Sequence, residues 1–228
     1  MDRQHLIFDA DDTLWENNIY FEAAFDDFCA FLNHSSMSPA EIRSVLDEVE
    51  RVNAKLHGYG SKNFARNLAE CYQRLAERHI SEADLEAVTA FAHAILERPI
   101  ELLDGVRETV VELSRRHELT IFTKGDPEEQ KLKIERSGLE NHFVHAAIVR
   151  EKHESAYRHL AEERGFDLKR TWMIGNSPKS DINPALAAGL NAVFVPHPRT
   201  WSLENEDVPH AHPRLLRVER ISELIRYF

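Results

Sequence analysis

Residues 5–15 read HLIFDADDTLW and give the clearest indication of the fold. Residues 6–8 have the length and apolar character of a buried strand, and they stop abruptly at acidic residues, which a protein core excludes. A strand followed at once by carboxylates is typical of the ligand-binding edge of a parallel α/β sheet. We therefore expect Asp9 and Asp11 to face each other at the carboxyl end of the first strand.

This pair of aspartates also predicts a reaction chemistry. Two carboxylates held close together repel each other, and a divalent cation relieves that repulsion. Hard ions such as Mg²⁺ prefer oxygen ligands. With such an ion bound, one carboxylate can attack phosphorus while its neighbour two residues later passes protons. The pattern therefore favours a metal-assisted nucleophilic site built on Asp9 and Asp11.

Composition restricts the classes of protein and partner. The chain has 228 residues, 43% of them hydrophobic, which suffices for one large domain or two small ones. A net charge of −11 disfavours nucleic acid and anionic membranes as partners. The two cysteines, Cys29 and Cys71, lack a metal-binding spacing. With no long apolar run, we expect a cytoplasmic protein without signal peptide or membrane span.

Residues 16–99 have a helical pattern with no credible internal strand. Ser38 and Ser81 open capping boxes, and residues 58–61 interrupt the pattern. Four helices are predicted, over about 17–33, from 39 to about 56, from about 61 to 75, and from 82 to shortly before Pro99. We interpret residues 16–99 as an all-helical domain inserted into a second domain that consists of residues 1–15 and 100–228.

Strand and helix patterns alternate from residue 100 onward. Strands are predicted over about 119–123, 143–149, 171–174 and 192–195, with helices between them, and residues 215–228 close the chain. This alternation is typical of a doubly wound parallel sheet with a Rossmann-like α/β fold. Residues 196–213, with four prolines and three histidines, form the one long irregular segment.

Four predicted strands are followed by polar residues that suit a single chemistry. These residues are Asp9 with Asp11, Thr123 with Lys124, Lys152, and Asn176 with Asp181. A D-x-D-x-T stretch, a strand-ending threonine, a later lysine and an acidic turn occur here in the order found in the haloacid dehalogenase superfamily of phosphohydrolases, which the sequence resembles. The resemblance covers residues 1–15 and 100–228. The helical block between them looks like the C1-type cap domain of that family.

The resemblance implies a Mg²⁺-dependent phosphatase acting on a small phosphorylated metabolite. Asp9 would be the nucleophile that forms an aspartyl-phosphate. Asp11 would protonate the leaving oxygen, then deprotonate the hydrolytic water, and its backbone carbonyl would ligate the metal. Thr123 would hold a phosphoryl oxygen, and Lys152 would neutralise Asp9 and the phosphoryl group.

The implied metal ligands are Asp9, Asp11, Asn176 and Asp181. The sequence departs from the family here, because the fourth motif begins Gly175-Asn176 where the family usually has Gly-Asp. An amide oxygen can ligate Mg²⁺ without adding charge, which makes the site less anionic. Either Asn176 ligates the ion directly or Asp181 takes over.

Further residues are candidates for phosphate or substrate binding: Thr13, Lys124, Gly125, Trp15, Tyr59 and Ser61. Lys124 stands where the family often has asparagine, and it either binds substrate or competes with Lys152 for its role. Trp15, Tyr59 and Ser61 flank the hinge of the inserted domain or its central loop, where such caps usually present specificity residues.

Other functions stay open at this point. A 2-haloacid dehalogenase uses the same nucleophile without a metal, but Asp11 argues against it because that branch has a D-x-Y pattern there. A catalytically weak binding protein of the same fold is favoured only by Asn176. A phosphomutase shares the first half-reaction. The sequence indicates neither the identity of the metabolite nor whether the protein is a monomer or a homodimer.

Overall fold

The computed structural model describes residues 3–228, which divide into two compact units. Residues up to Asn18 together with Ile100–Phe228 form one, here called the sheet unit, and Ile19–Pro99 form the other, the helical unit. The partition keeps residues 16–18 with the sheet unit, where the sequence placed them in the inserted domain. The reason is local, because the backbone and side chain of Asn18 bind Asp12 and Arg199 of the sheet unit.

The helical unit is built from four helices around one apolar core. They are α1 (Asn18–Leu32), α2 (Pro39–His57), α3 (Ser61–Leu75) and α4 (Glu82–His93), the last followed by a 3₁₀ turn, Ala94–Glu97. Each helix contributes fully buried side chains to the core, among them Phe28, Leu46, Leu68 and Val88. The capping boxes predicted at Ser38 and Ser81 are confirmed.

The sheet unit contains one parallel sheet of six strands. These are β1 (His5–Phe8), β2 (Glu118–Lys124), β3 (His145–Val149), β4 (Thr171–Gly175), β5 (Asn191–Phe194) and β6 (Leu215–Arg217), in the order β3-β2-β1-β4-β5-β6. The predicted doubly wound fold is confirmed. The strand order reverses between β1 and β4, and the carboxyl ends at such a reversal flank the crevice where these sheets bind ligands.

Helices connect the strands of this sheet. They are α5 (Val106–Ser114), α6 (Pro127–Ser137), α7 (Glu154–Arg164) and α8 (Asn183–Ala188), and a 3₁₀ helix, Ile221–Arg226, closes the chain. Asp126 caps α6 by accepting the N–H groups of Glu128 and Glu129. None of the helices in residues 3–228 has both the length and the apolar character needed to span a membrane.

Two stretches near the sheet edge depart from the predicted pattern. The helix predicted before Gly189 begins with a π-helical turn, Pro178–Ile182. Ser177 holds this turn with two acceptors: its hydroxyl accepts the backbone N–H of Ser180, and its carbonyl accepts the backbone N–H of Ile182. The irregular segment 196–213 contains a short 3₁₀ turn, Ser202–Glu204. Both stretches carry side chains that shape the site described next.

Candidate active site

Lys152 joins two of the predicted acidic residues at the carboxyl edge of the sheet. Its ammonium lies 2.5 Å from Asp9 Oδ1 and 2.6 Å from Asp181 Oδ1. The side chains of Lys152 and Asp181 are 1% and 0% exposed, so this ion pair is withdrawn from water. The chain segments that follow β1, β3 and β4 therefore meet at one point, as their order in a parallel sheet predicts.

The charges in this cluster shift the pKa values of its members. Burial alone would lower the pKa of Lys152, but the carboxylates of Asp181 and Asp9 outweigh burial and hold it above its usual value. The pKa of Asp181 is raised to about 7, mainly by burial and also by repulsion from Asp9, and these two effects outweigh the lowering by Lys152. One buried lysine serves two carboxylates, and the cluster is left short of positive charge.

The hydroxyl of Thr13 lies between two oxygen acceptors. Thr13 Oγ1 is 3.0 Å from Asp9 Oδ2 and 3.0 Å from Asn176 Oδ1, and it accepts the backbone N–H of Asn176. A hydroxyl has one proton and can donate it to only one of these oxygens. The structure thus gathers more acceptor oxygens than donors beside Asp9.

These oxygens fit a hard divalent cation. The set consists of carboxylate and amide oxygens, which Mg²⁺ prefers, and the excess of acceptors and of negative charge is what a cation would balance. Asp9 and Asn176 are the residues that would hold the ion, and Asp181 is the buried carboxylate of the same turn. Both predicted alternatives, Asn176 and Asp181, therefore lie at this site.

Asp11 is held by groups other than the predicted catalytic residues. Its carboxylate accepts from Lys133 Nζ at 2.9 and 3.1 Å, from Gln130 Nε2 at 2.8 Å and from the indole N–H of Trp15 at 2.8 Å. Gln130 and Lys133 lie one turn apart on α6, directly after β2. That spacing did not mark Lys133 in the sequence, because a lysine on a capped helix is usually a solvated residue.

Lys124 also has partners that the sequence did not indicate. Its ammonium lies 2.9 Å from Ser180 Oγ and 2.6 Å from Glu204 Oε1, and Glu204 Oε2 accepts from the hydroxyls of Ser177 and Ser180. Burial would raise the pKa of Glu204, but Lys124 and the two serines reverse this effect and hold it below its usual value. No periodicity marks Glu204, because it lies in the irregular segment.

The remaining predicted residues occupy different places. Thr123 is buried at the carboxyl end of β2. The backbone N–H of Gly125, two residues later, donates to the Val149 carbonyl. Trp15 is fully buried in the core of the sheet unit, where it holds Asp11, rather than lying at a substrate surface. Tyr59 and Ser61 belong to the helical unit, in the loop before α3 and at its first residue.

A second cluster of possible metal ligands, which was not predicted, combines two acidic residues that follow the first strand with a histidine of the irregular segment. Ligand atoms of Asp12, Glu16 and His197 lie within 4.8 Å of one another, so this group is a possible metal site. Asp12 accepts the backbone N–H groups of Asn17 and Asn18, and burial raises its pKa to about 7. Burial disfavours the charged form of His197 as well, which for a histidine lowers the pKa.

Comparison with known proteins places this arrangement in a family. A family model described as haloacid dehalogenase-like hydrolase matches residues 4–189. This chain belongs to that family. The match extends over both units and includes every residue of the Asp9, Lys152 and Asp181 cluster, so the family resemblance drawn from the sequence is confirmed.

Individual relatives of this hydrolase agree with the assignment. A haloacid dehalogenase-like family hydrolase from Xanthomonas campestris is 31% identical, with a TM-score of 0.85 over 99% of this chain and 94% of that one. YfnB from Bacillus subtilis, a putative HAD-hydrolase solved with magnesium, shares the fold at 20% identity and a TM-score of 0.69 over 100% and 99% of the two chains. 2-Haloacid dehalogenases share the fold as well.

One similar protein has a named phosphatase activity. N-acylneuraminate-9-phosphatase from Mus musculus is 29% identical over 115 residues, which is 48% of this chain and 46% of the mouse protein. The match spans about half the length of that relative. The shared fold alone does not distinguish phosphatases from dehalogenases. The residues of the site must make that distinction.

Gly175, the first residue of the hydrolase's fourth motif, gives a direct test of how tightly Asp181 is held. A Cβ at Gly175 would overlap Asp181 Oδ2 and stand 2.7 Å from Asp181 Cβ, so Gly175→Ala must shift the side chain that pairs with Lys152. We expect Gly175→Ala to lower the kcat of the hydrolase by at least about 100-fold, the scale of a misplaced active-site group. Steady-state kinetics on the purified variant measure this.

Gly165→Ala is the matched control for that substitution. No heavy atom lies within 4 Å of a Cβ at Gly165, which has a left-handed φ of +66°. This variant should lose about 1 kcal/mol of stability through backbone strain and keep its kcat. Equal kcat values for Gly175→Ala and wild type would show that Asp181 can move without consequence.

Proposed function

We propose that this hydrolase is a Mg²⁺-dependent phosphatase that releases phosphate from a small phosphorylated metabolite. The observation that carries the proposal is the pair of aspartates, because Asp9 is held by Lys152 and Asp11 is held separately by Lys133, Gln130 and Trp15. Two carboxylates with different partners can serve as nucleophile and as proton carrier. The similarity to a mouse phosphatase supports the same activity.

The reaction follows from the roles of these side chains. A carboxylate oxygen of Asp9 attacks phosphorus, the bond from phosphorus to the leaving oxygen breaks, and Asp11 gives that oxygen a proton. Asp11 then takes a proton from water, which attacks the aspartyl-phosphate and regenerates Asp9 as inorganic phosphate leaves. Uncatalysed phosphate-monoester hydrolysis is so slow that dividing it into two steps is worthwhile.

The surrounding groups supply electrostatic support. Lys152 neutralises Asp9 and would offset the charge of the incoming phosphoryl group, since two anions about 4 Å apart repel by several kcal/mol at an effective dielectric constant of about 20. Mg²⁺ bound by Asp9 and Asn176 would supply further positive charge for the phosphoryl oxygens. Thr123, at the end of β2, is the proposed donor to a phosphoryl oxygen.

Metal dependence is the first test of this function. We expect purified protein to release p-nitrophenol from p-nitrophenyl phosphate with Mg²⁺, and to lose at least about 99% of that rate in excess EDTA, because the site is short of positive charge without the ion. Readdition of Mg²⁺ should restore the rate. The same preparation should release no chloride from 2-chloropropionate.

The alternative functions give different results in this experiment. Metal-independent chloride release without phosphate-ester hydrolysis would identify a dehalogenase and overturn the proposal. Absence of both activities, together with no beryllofluoride binding at Asp9, would indicate a binding protein of this fold. The substrate class of small phosphorylated metabolites, a cytoplasmic location, and the specificity roles of Tyr59 and Ser61 stay predictions. A screen of phosphorylated metabolites would identify the substrate, and direct measurement would show whether the protein is a monomer or a homodimer.

A further inference from the structure

The side-chain amide of Asn176 is oriented by a chain of hydrogen bonds. Asn176 Nδ2 lies 2.8 Å from Thr200 Oγ1, and Thr200 Oγ1 lies 3.0 Å from the backbone carbonyl of His197. A carbonyl only accepts, so the Thr200 hydroxyl donates to His197 and presents its lone pair to Asn176. The amide atom that faces Thr200 must therefore be a donor, which is the nitrogen.

This orientation decides which atom of Asn176 faces the candidate metal site. With the nitrogen turned to Thr200, Oδ1 lies 3.0 Å from the Thr13 hydroxyl, which also lies 3.0 Å from Asp9 Oδ2, in the group of acceptors that fits a cation. A flipped amide would bring its NH₂ group to that place instead and remove one oxygen from the set. Asn176 is buried, so the orientation of its amide depends on hydrogen-bond partners from the protein, of which Thr200 is one.

The loop that carries Thr200 is itself fixed on both sides. Before Thr200, the carbonyl of Arg199 accepts from Asn18 Nδ2 at 2.9 Å. After it, buried Glu204 is tied to Lys124 by an ion pair of 2.6 Å. Thr200 thus stands between two anchors in the otherwise irregular segment, and its hydroxyl has a defined position.

We propose that Thr200 is a positioning residue for the metal site, which it serves by holding the amide oxygen of Asn176 toward Asp9. This inference rests on the proposed function, in which Asn176 ligates Mg²⁺. The hydrogen bond to Thr200 also explains why position 176 is asparagine where the family usually has aspartate. A carboxylate at position 176 would need the single Thr200 proton that His197 already accepts, so one of the two hydrogen bonds would be lost.

The test uses Thr200→Val, which removes the hydroxyl and keeps the shape of the side chain. We expect Mg²⁺ to bind about tenfold more weakly, the scale of one orienting hydrogen bond, by isothermal titration calorimetry of the metal alone. The Mg²⁺ concentration that half-saturates p-nitrophenyl phosphate hydrolysis should rise by the same factor. Thr200→Ser, which keeps the hydroxyl, should bind Mg²⁺ like wild type.

Thr109→Val is the control for loss of a hydroxyl that donates to a backbone carbonyl. Thr109 Oγ1 donates to the Gly105 carbonyl at 2.7 Å, in α5 of the same unit and away from Asn176. This variant loses a comparable hydrogen bond and should keep its Mg²⁺ affinity. Thermal unfolding of each variant verifies that the proteins compared are folded.

A second substitution separates positioning from general support of the loop. The two carboxylate oxygens of Asn176→Asp are equivalent and need no orientation, so adding Thr200→Val to this variant should leave Mg²⁺ affinity unchanged. A tenfold loss in both the Asn176 and the Asn176→Asp backgrounds would mean that Thr200 only supports the loop, and would overturn the inference.

The remaining outcomes distinguish this inference from the proposed function. Wild-type protein that needs Mg²⁺, with a Thr200→Val variant that binds Mg²⁺ equally well, would overturn the role of Thr200 and leave the phosphatase proposal standing. Wild-type protein that hydrolyses phosphate esters without binding Mg²⁺ would overturn the inference and the metal dependence together, while leaving the hydrolysis itself established.

Discussion

Asp9→Asn is expected to lower phosphate-monoester turnover by at least about 10⁴-fold, the scale seen when the nucleophile of a covalent mechanism is removed. The substituted amide has nearly the same shape as the carboxylate, but it is a poor nucleophile and carries no charge. Lys152 keeps Asp181 as a partner at 2.6 Å, so the variant should still fold. The comparison of kcat for wild type and variant on p-nitrophenyl phosphate measures the effect.

Asp126→Asn is the matched control, because it makes the same chemical change at a helix cap. Asp126 caps α6 through its side-chain oxygen, and asparagine caps helices about as well as aspartate. Its activity should match that of wild type. Beryllofluoride, which mimics a phosphoryl group on a carboxylate, should bind to wild type and not to Asp9→Asn. Retention of kcat within tenfold in Asp9→Asn would place the nucleophile elsewhere and end the aspartyl-phosphate mechanism.

The residues that sequence reasoning located are those whose position is dictated by regular structure. Asp9, Lys152 and Asp181 each follow a strand, and parallel strands bring their carboxyl ends to one edge. Their convergence was therefore predictable from the alternation of strand and helix patterns alone. The capping boxes at Ser38 and Ser81 were equally predictable, because the capping contact spans only three residues.

The residues that were missed depend on longer and less regular contacts. Lys133 reaches Asp11 from 122 positions away, and nothing in the sequence distinguishes it from exposed Lys131 two residues earlier on α6. Glu204 and Thr200 lie in an irregular segment, where no period indicates which side chains turn inward. Their roles are set by burial and hydrogen-bond direction, which only the folded chain defines.

Lys152→Met should have the largest combined effect on stability and turnover. The substitution removes the ammonium that lies between Asp9 and Asp181 and leaves their carboxylates facing each other in a buried place. Removing one partner of a buried ion pair typically costs about 3–5 kcal/mol. Turnover should fall by at least about 10³-fold, because Asp9 loses its counter-ion and the phosphoryl charge is no longer offset.

The loss of stability should depend on pH in a defined direction. Burial and Asp9 already raise the pKa of Asp181 to about 7 with Lys152 present, and removing the lysine raises it further. A carboxyl group whose pKa is raised on folding binds more protons in the folded state, so its contribution to stability is lost as pH rises through the folded pKa. Urea unfolding in EDTA should show a smaller deficit at pH 5 than at pH 8.

Lys131→Met separates this effect from the loss of any lysine. Lys131 is 61% exposed, and its ion pair with Glu128 spans 3.6 Å on the surface of α6, so its free energy of unfolding should stay within about 0.5 kcal/mol of wild type at both pH values. A Lys152→Met variant as stable as Lys131→Met at pH 8 would mean that the two carboxylates separate or share a proton at little cost. Lys152 would then serve catalysis without holding the site together.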